Sequence, residues 1–139
     1  MNVSVLIITY NHARVIADAI DSALGQVTSF PYEIVVSEDC STDGTREIVE
    51  QYERRHPEHI HVLYSARNLG GTENFVDAYR VCRGEYVALL EGDDYWTSPS
   101  KLEKQVAFLS RRPECSMCVH PVTEVHEATG RSVSWMDPE

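Results

Sequence analysis

Three carboxylates fall within four residues at Glu91-Gly92-Asp93-Asp94, directly after the apolar run Tyr86-Val87-Ala88-Leu89-Leu90. Set side by side at a strand end they repel one another, and a hard divalent cation with oxygen ligands relieves that repulsion. A strand that delivers acids to its carboxyl end also puts them where open α/β sheets bind ligands. The plain alternative is a solvated acidic turn, since Gly-Asp-Asp is ordinary loop chemistry. A second acidic pair, Glu38-Asp39, follows the run Ile34-Val35-Val36. A carboxylate just past a buried strand costs free energy unless something donates hydrogen bonds to it. A nucleobase N–H is one such donor.

These acids need elements to carry them. Val3-Ser4-Val5-Leu6-Ile7-Ile8 is nearly continuous and apolar, as a strand buried on both faces is. Asn11 is a good N-cap, and Val15, Ile16, Ala19, Ile20, Ala23 and Leu24 follow at helical spacing. A second strand is expected over Glu33–Ser37, a second helix around Ile48, Val49 and Tyr52, and a third strand over His61–Tyr64. Asn68-Leu69-Gly70-Gly71 is a turn. Phe75, Ala78, Tyr79 and Cys82 mark a third helix, and Glu85–Leu90 a fourth strand. Ser98-Pro99 predicts the start of a fourth helix, which Pro113 ends. Ser116–Val125 and Ser132–Trp135 are expected strands, with Ala128-Thr129-Gly130-Arg131 as a turn. Strands alternating with helices imply right-handed crossovers and a largely parallel sheet in an α/β fold.

Composition narrows the partners. A formal net charge of −10 argues against a nucleic-acid partner, whose phosphate backbone requires clustered Lys and Arg. It leaves room for one small phosphorylated ligand held by a metal ion and backbone N–H groups. No run reaches the ~20 apolar residues of a transmembrane segment, and Met1 leads straight into a strand pattern without a signal peptide. The expectation is a cytoplasmic chain, peripheral at most at the inner face of the membrane. Cys40, Cys82, Cys115 and Cys118 are too few for a disulfide framework. Cys115 and Cys118, with His120 and His126 nearby, admit a metal clip; two small apolar residues in a strand is the simpler expectation.

A parallel sheet collects its strand ends on one rim. That rim gathers Thr9-Tyr10-Asn11-His12, then Glu38 to Thr45, then Arg67 to Gly71, then Glu91 to Trp96. Asp43 also suits a cap of the second helix, and Arg67 suits either a surface acid or a diphosphate.

At this point the residues resemble a family. Val3 to Asn11 is similar to the opening of the family-two glycosyltransferases of GT-A fold. Glu33 to Thr45 resembles their second-strand motif. Arg67 to Gly71 matches their Asn-x-Gly turn, and Gly84 to Trp96 resembles the strand leading into their Asp-x-Asp motif. The resemblance implies a GT-A-like (Rossmann-like) mostly parallel sheet flanked by helices, with a site for a nucleotide-diphosphate-sugar, a UDP-sugar being favoured. By analogy Thr9, Tyr10 and Asn11 line the nucleoside, Asp39 accepts from the base, and Glu38 stands near the ribose or beneath the base. Arg67 lies near the diphosphate, with Asn68 and Gly70 in the same turn. Asp93 reaches ribose or metal, and Asp93, Asp94 and Glu91 form the set for Mg²⁺ or Mn²⁺. The implied activity is inverting, metal-assisted sugar transfer to a saccharide or lipid-linked acceptor, as in cell-envelope polysaccharide synthesis.

The pattern has departures. Glu91 and Glu38 stand where the family usually has Asp, and Cys40 where it has Gly, a change that bars some backbone conformations. The family's acceptor-activating base lies on a later segment, so residues 1–139 are expected to form the nucleotide-sugar-binding part without the acceptor half, inactive alone. Glu124, Glu127 and Asp137 are acids without an argued place. A nucleotide-sugar-binding module without activity is the alternative. A metal-dependent nucleotidyl or phosphoryl transferase is another, and would bring a Gly-rich phosphate loop that is absent here.

Overall fold

The computed structural model describes residues 2–126 and 129–135. Strands β1 (Val3–Thr9) and β2 (Tyr32–Glu38) each bury six of their seven residues. Such strands lie between two covered faces, which is why their sequences run apolar rather than alternating. With β3 (Ile60–Tyr64) and β4 (Tyr86–Glu91) they form a four-stranded sheet in the order β3-β2-β1-β4. Every pairing in it is parallel.

Helices α1 (Ile16–Leu24), α2 (Thr45–Arg55) and α3 (Gly71–Val81) make the crossovers. Right-handed crossovers put α1 and α2 on one face, because both steps move from β1 towards β3. The step from β3 back to β4 reverses direction and puts α3 on the other face. Packing follows the two-residue period of the strands. On the α3 side, Leu6, Val35 and Ala78 form a buried cluster joined by Ile8, Leu63, Phe75 and Val87. The alternate residues Val5, Ile7, Ile34 and Val36 are wholly buried, as are Ile16, Ile20 and Val49 of α1 and α2. The order reverses beside β1, so the crevice outside its carboxyl end is the expected ligand position.

At the amino end of the sheet a buried polar knot joins distant segments. Ser4 Oγ donates to Glu33 Oε1 at 2.7 Å, and Arg83 N and Nε donate to Glu33 Oε1 and Oε2, each at 2.8 Å. Gly84 N donates to Ser4 Oγ at 2.8 Å. Here the chain passes so close to β1 that a Cβ on Gly84 would stand 2.3 Å from Ser4 N and 2.6 Å from Val3 C. Backbone cannot move aside as a side chain can. Gly84→Ala is therefore expected to cost about 1–3 kcal/mol by overpacking, read as a lower midpoint in urea with an unchanged slope.

The chain divides into two units, Met1–Lys104 and Gln105–Glu139, with α4 (Lys101–Ser110) running across the division. This helix begins after Ser98-Pro99 rather than at it, because Lys101 N donates to Ser98 O and Lys104 N to Ser100 O. In the second unit the expected strand over Ser116–Val125 shrinks to β5 (Val122–His126), paired antiparallel with β6 (Arg131–Trp135). Pro121 cannot donate to a ladder, so pairing starts after it. Cys115 and Cys118 precede β5 in irregular chain, with both thiols free. The metal clip finds no support there: among the described residues no three His, Cys, Asp or Glu side chains gather closely enough to hold a cation by themselves. Ala128 of the expected turn lies outside the described residues. No described helix is long and apolar enough to cross a membrane.

Candidate nucleotide-sugar site

The register of the sheet assembles the rim. Thr9 pairs with Glu38 across β1 and β2, and Ile8 pairs with Glu91 across β1 and β4. Asp39 and Asp93 thus leave strands that flank β1 on either side, about 10 Å apart at the usual strand spacing. Asp39 N donates to Thr9 O at 3.0 Å, and Gly92 N donates to Ile8 O at 3.0 Å. Both neighbours are bonded to the end of the central strand.

The carboxylate turn closes with Asp94 N donating to Glu91 O at 3.1 Å. Glu91, Asp93 and Asp94 are exposed while Gly92 is buried. Partial burial pushes the Glu91 carboxyl up, and the charges of Asp93 and Asp94 push it further; His12 pulls it back. Burial and then Asp93 raise Asp94 likewise. The crowding expected from sequence is present. A divalent cation fits this donor set even without a ready-made cage, because such an ion is often held by one or two carboxylates plus phosphate oxygens.

Gly92 is where two segments touch. A Cβ there would stand 2.7 Å from His12 Nδ1 and 2.8 Å from Thr9 Oγ1 and Cβ. The His12 ring lies against the bend, with Nδ1 3.2 Å from Thr9 Oγ1. His12 N donates to Thr45 Oγ1 at 2.8 Å, which fixes its backbone to the start of α2. Sequence alone placed His12 on the rim and gave it no role; its position directly after Thr9-Tyr10-Asn11 was the available signal.

Several expected roles change. Asn11 does not cap α1, which begins at Ile16. It adopts φ 57°, a left-handed conformation that Asn tolerates. Its N–H donates to Ser41 Oγ at 2.9 Å, and its Oδ1 accepts from Thr42 N at 2.9 Å. It bridges two rim loops. Asp43 holds the same junction, accepting from Thr45 N at 3.0 Å through Oδ1 and from Ala13 N at 3.0 Å through Oδ2. Burial works against its charge, but these bonds and the Thr45 hydroxyl hold its carboxyl low. Cys40 keeps the conformation a glycine would take, φ 59°.

Glu38 turns inward. It is fully buried, and its Oε1 accepts from Ser41 N at 2.6 Å. Its longer arm makes that reach possible. Oε2 lacks a hydrogen bond among the described residues, with Arg46 Nη1 at 3.9 Å offsetting its charge. Asp39, only 2% exposed, finds its donors within the chain. Leu69 N donates to Oδ1 at 2.7 Å and Gly70 N to Oδ2 at 2.9 Å, so the acid holds the Asn68–Gly70 turn. Asn68 Nδ2 adds a bond to Asp39 O at 3.4 Å.

Arg67 follows β3, the strand furthest from β4. Three strand intervals, about 14 Å, separate their ends. Arg67 lines a hollow of about 390 Å³ with Leu63, Tyr64, Leu69 and Asp77, away from the carboxylate turn. Tyr10 is 43% exposed and Tyr95 59%, leaving aromatic surface on the rim loops. In the hairpin, Glu124 accepts from Trp135 Nε1 at 3.3 Å. Glu127 and Asp137 lie outside the described residues.

The family model for glycosyl transferase family 2 matches residues 4–138. The chain belongs to this family. It is 44% identical over 124 residues to an uncharacterised protein of Mycobacterium tuberculosis, covering 89% of this chain and 36% of that protein. It is 43% identical over 111 residues to the putative teichuronic acid biosynthesis glycosyltransferase TuaG of Bacillus subtilis, covering 79% and 42%. Among solved structures, residues 1–349 of S. aureus TarS in complex with UDP superimpose with a TM-score of 0.71 at 33% identity, covering 81% of this chain and 33% of that TarS chain. The mannosyltransferase PcManGT from Pyrobaculum calidifontis, in complex with GDP-Man and Mn²⁺, gives 0.71 at 28%, covering 78% and 32%. The fold is the GT-A α/β fold of these transferases. The chain spans 36% and 42% of the length of the two relatives named.

Proposed function

We propose that this chain forms the donor-binding part of an inverting glycosyltransferase that takes a nucleotide-diphosphate-sugar. The observation that carries this is the self-repelling carboxylate turn, set beside Thr9 where the strand order reverses. In this proposal the nucleoside lies towards β2 and β3, between Thr9, Tyr10 and the turn that Asp39 holds. Arg67 is then assigned to the base end and not to the diphosphate. Each Asp39 oxygen keeps a lone pair after its amide bond, which a base N–H could use. The diphosphate crosses the end of β1 towards Asp93. Asp93, with Asp94 and Glu91 beside it, would hold Mg²⁺ or Mn²⁺, which neutralises charge on the departing diphosphate. The neighbours in complex with UDP and with GDP-Man and Mn²⁺ support this choice of ligand.

The acceptor, a saccharide or lipid-linked sugar, and the base that activates it are assigned to other parts of the whole protein. Teichuronic acid synthesis by TuaG supports an envelope polysaccharide as the product class. Calorimetric titration with UDP and with GDP, with and without Mn²⁺, tests the reading. One of the two is expected to bind at least tenfold more tightly with the metal. Equal affinity in both conditions for both nucleotides would remove the metal-linked diphosphate site.

A further inference from the structure

We propose that His12 is a positioning residue that locks the carboxylate turn to Thr9, so that the nucleoside and metal–diphosphate contacts are held in one register. The inference rests on the proposed donor site. Three contacts carry it. The His12 ring lies against the Gly92 bend, in space that any Cβ would fill at 2.7 Å from Nδ1. Nδ1 is within hydrogen-bond reach of Thr9 Oγ1, at 3.2 Å. The backbone on which the ring stands is fixed at both sides, His12 N to Thr45 Oγ1 at 2.8 Å and His12 O accepting from Ile16 N at 2.8 Å.

The physical consequence follows from the turn itself. Like charges at Glu91, Asp93 and Asp94 repel one another, and the amide bonds from Gly92 N to Ile8 O and from Asp94 N to Glu91 O hold the bend from below. An imidazole pinned at its base and packed on the bend limits where Asp93 can go. A carboxylate misplaced by an ångström loses much of its hold on a small cation, whose geometry is demanding. Thr9 is itself 2% exposed and cannot swing to replace the contact. His12 thus acts through the turn and not by touching the reacting atoms.

The test separates positioning from general loosening. Uridine and UDP, or the guanosine pair if GDP is preferred, are titrated with and without Mn²⁺, and Mn²⁺ binding alone is followed by electron paramagnetic resonance. His12→Ala is expected to lower the Mn²⁺ enhancement of nucleoside diphosphate affinity, and Mn²⁺ affinity itself, about tenfold. Affinity for the nucleoside should stay at the wild-type value. His12→Asn, whose carboxamide can occupy the place of Nδ1, should restore most of the loss. Wild-type enhancement in His12→Ala overturns the inference. So does an equal loss of nucleoside and diphosphate affinity in both variants, which means that the β1–α1 loop has simply loosened. If the wild-type protein shows no Mn²⁺ enhancement, the donor-site reading fails first and takes this inference with it.

Discussion

Asp93→Asn is expected to remove most of the metal-dependent affinity for a nucleoside diphosphate, about 10–100-fold or more, and to leave the fold intact. Disturbing even the partners of a metal ligand costs about 10–100-fold, and Asp93 is proposed as a ligand. The substitution keeps the shape of the side chain and removes its charge. Asp93 is exposed, so no core contact is lost. Its charge is also part of what raises Glu91 and Asp94. Removing it relieves the turn, so the metal-free variant should unfold at the same temperature as wild type or slightly higher. Affinity therefore falls without a fall in stability, which a simple folding defect cannot do. Calorimetry with and without Mn²⁺, beside thermal unfolding in chelator, reads both quantities. An unchanged Mn²⁺ enhancement would take Asp93 out of the site.

The fold was legible because it rests on local patterns. β1 and β2 are continuous apolar runs since helices cover both their faces, and the helices between them carry clear stripes. The rim was legible for the same reason: parallel strands must end together, so acids that follow apolar runs must meet. What sequence left open depends on who lies opposite. Asn11 looks the same whether it caps its own helix or bonds Thr42 in another loop, since both use the carboxamide oxygen. Glu38 and Asp39 are adjacent acids, yet pleating sends one beneath α2 and the other to the Asn68–Gly70 turn. Arg67 suits either a surface acid or a diphosphate in sequence, and only the strand order shows that the strand it follows, β3, lies at the far edge. His12 gains its place only from Gly92, eighty residues later.

The largest stability effect is expected at the other end of the sheet, at Glu33. This carboxylate is 1% exposed. It accepts from Ser4 Oγ, from Arg83 N and from the Arg83 guanidinium, and so joins β1, β2 and the exit of α3. Sequence reading counted it only as the first residue of a strand, because its partner lies fifty positions away. Glu33→Ala strips the acceptor from the buried Ser4 hydroxyl, leaves Arg83 N with its longer bond to Ser4 Oγ at 3.1 Å, and opens a cavity, at about 2–4 kcal/mol in all. Glu33→Gln keeps the volume and one acceptor, and should lose less. The two also differ in pH dependence. Burial pushes the Glu33 carboxyl up, but the bonds from Arg83 and Ser4 outweigh it and hold the group below the ordinary glutamate value of 4.5. The unfolded chain then binds this proton more readily than the folded one. Its contribution is complete above the unfolded value and is lost as the pH falls through the folded one. Glu91 and Asp94 carry the opposite sign, because their folded values are raised, so they oppose the loss without sharing its origin. The stability of wild type in urea should fall as the pH drops below the ordinary glutamate value of 4.5, and Glu33→Gln should flatten that fall while lowering stability at neutral pH. A variant as stable as wild type at neutral pH, with the same acid limb, would mean that the knot is solvated and holds nothing.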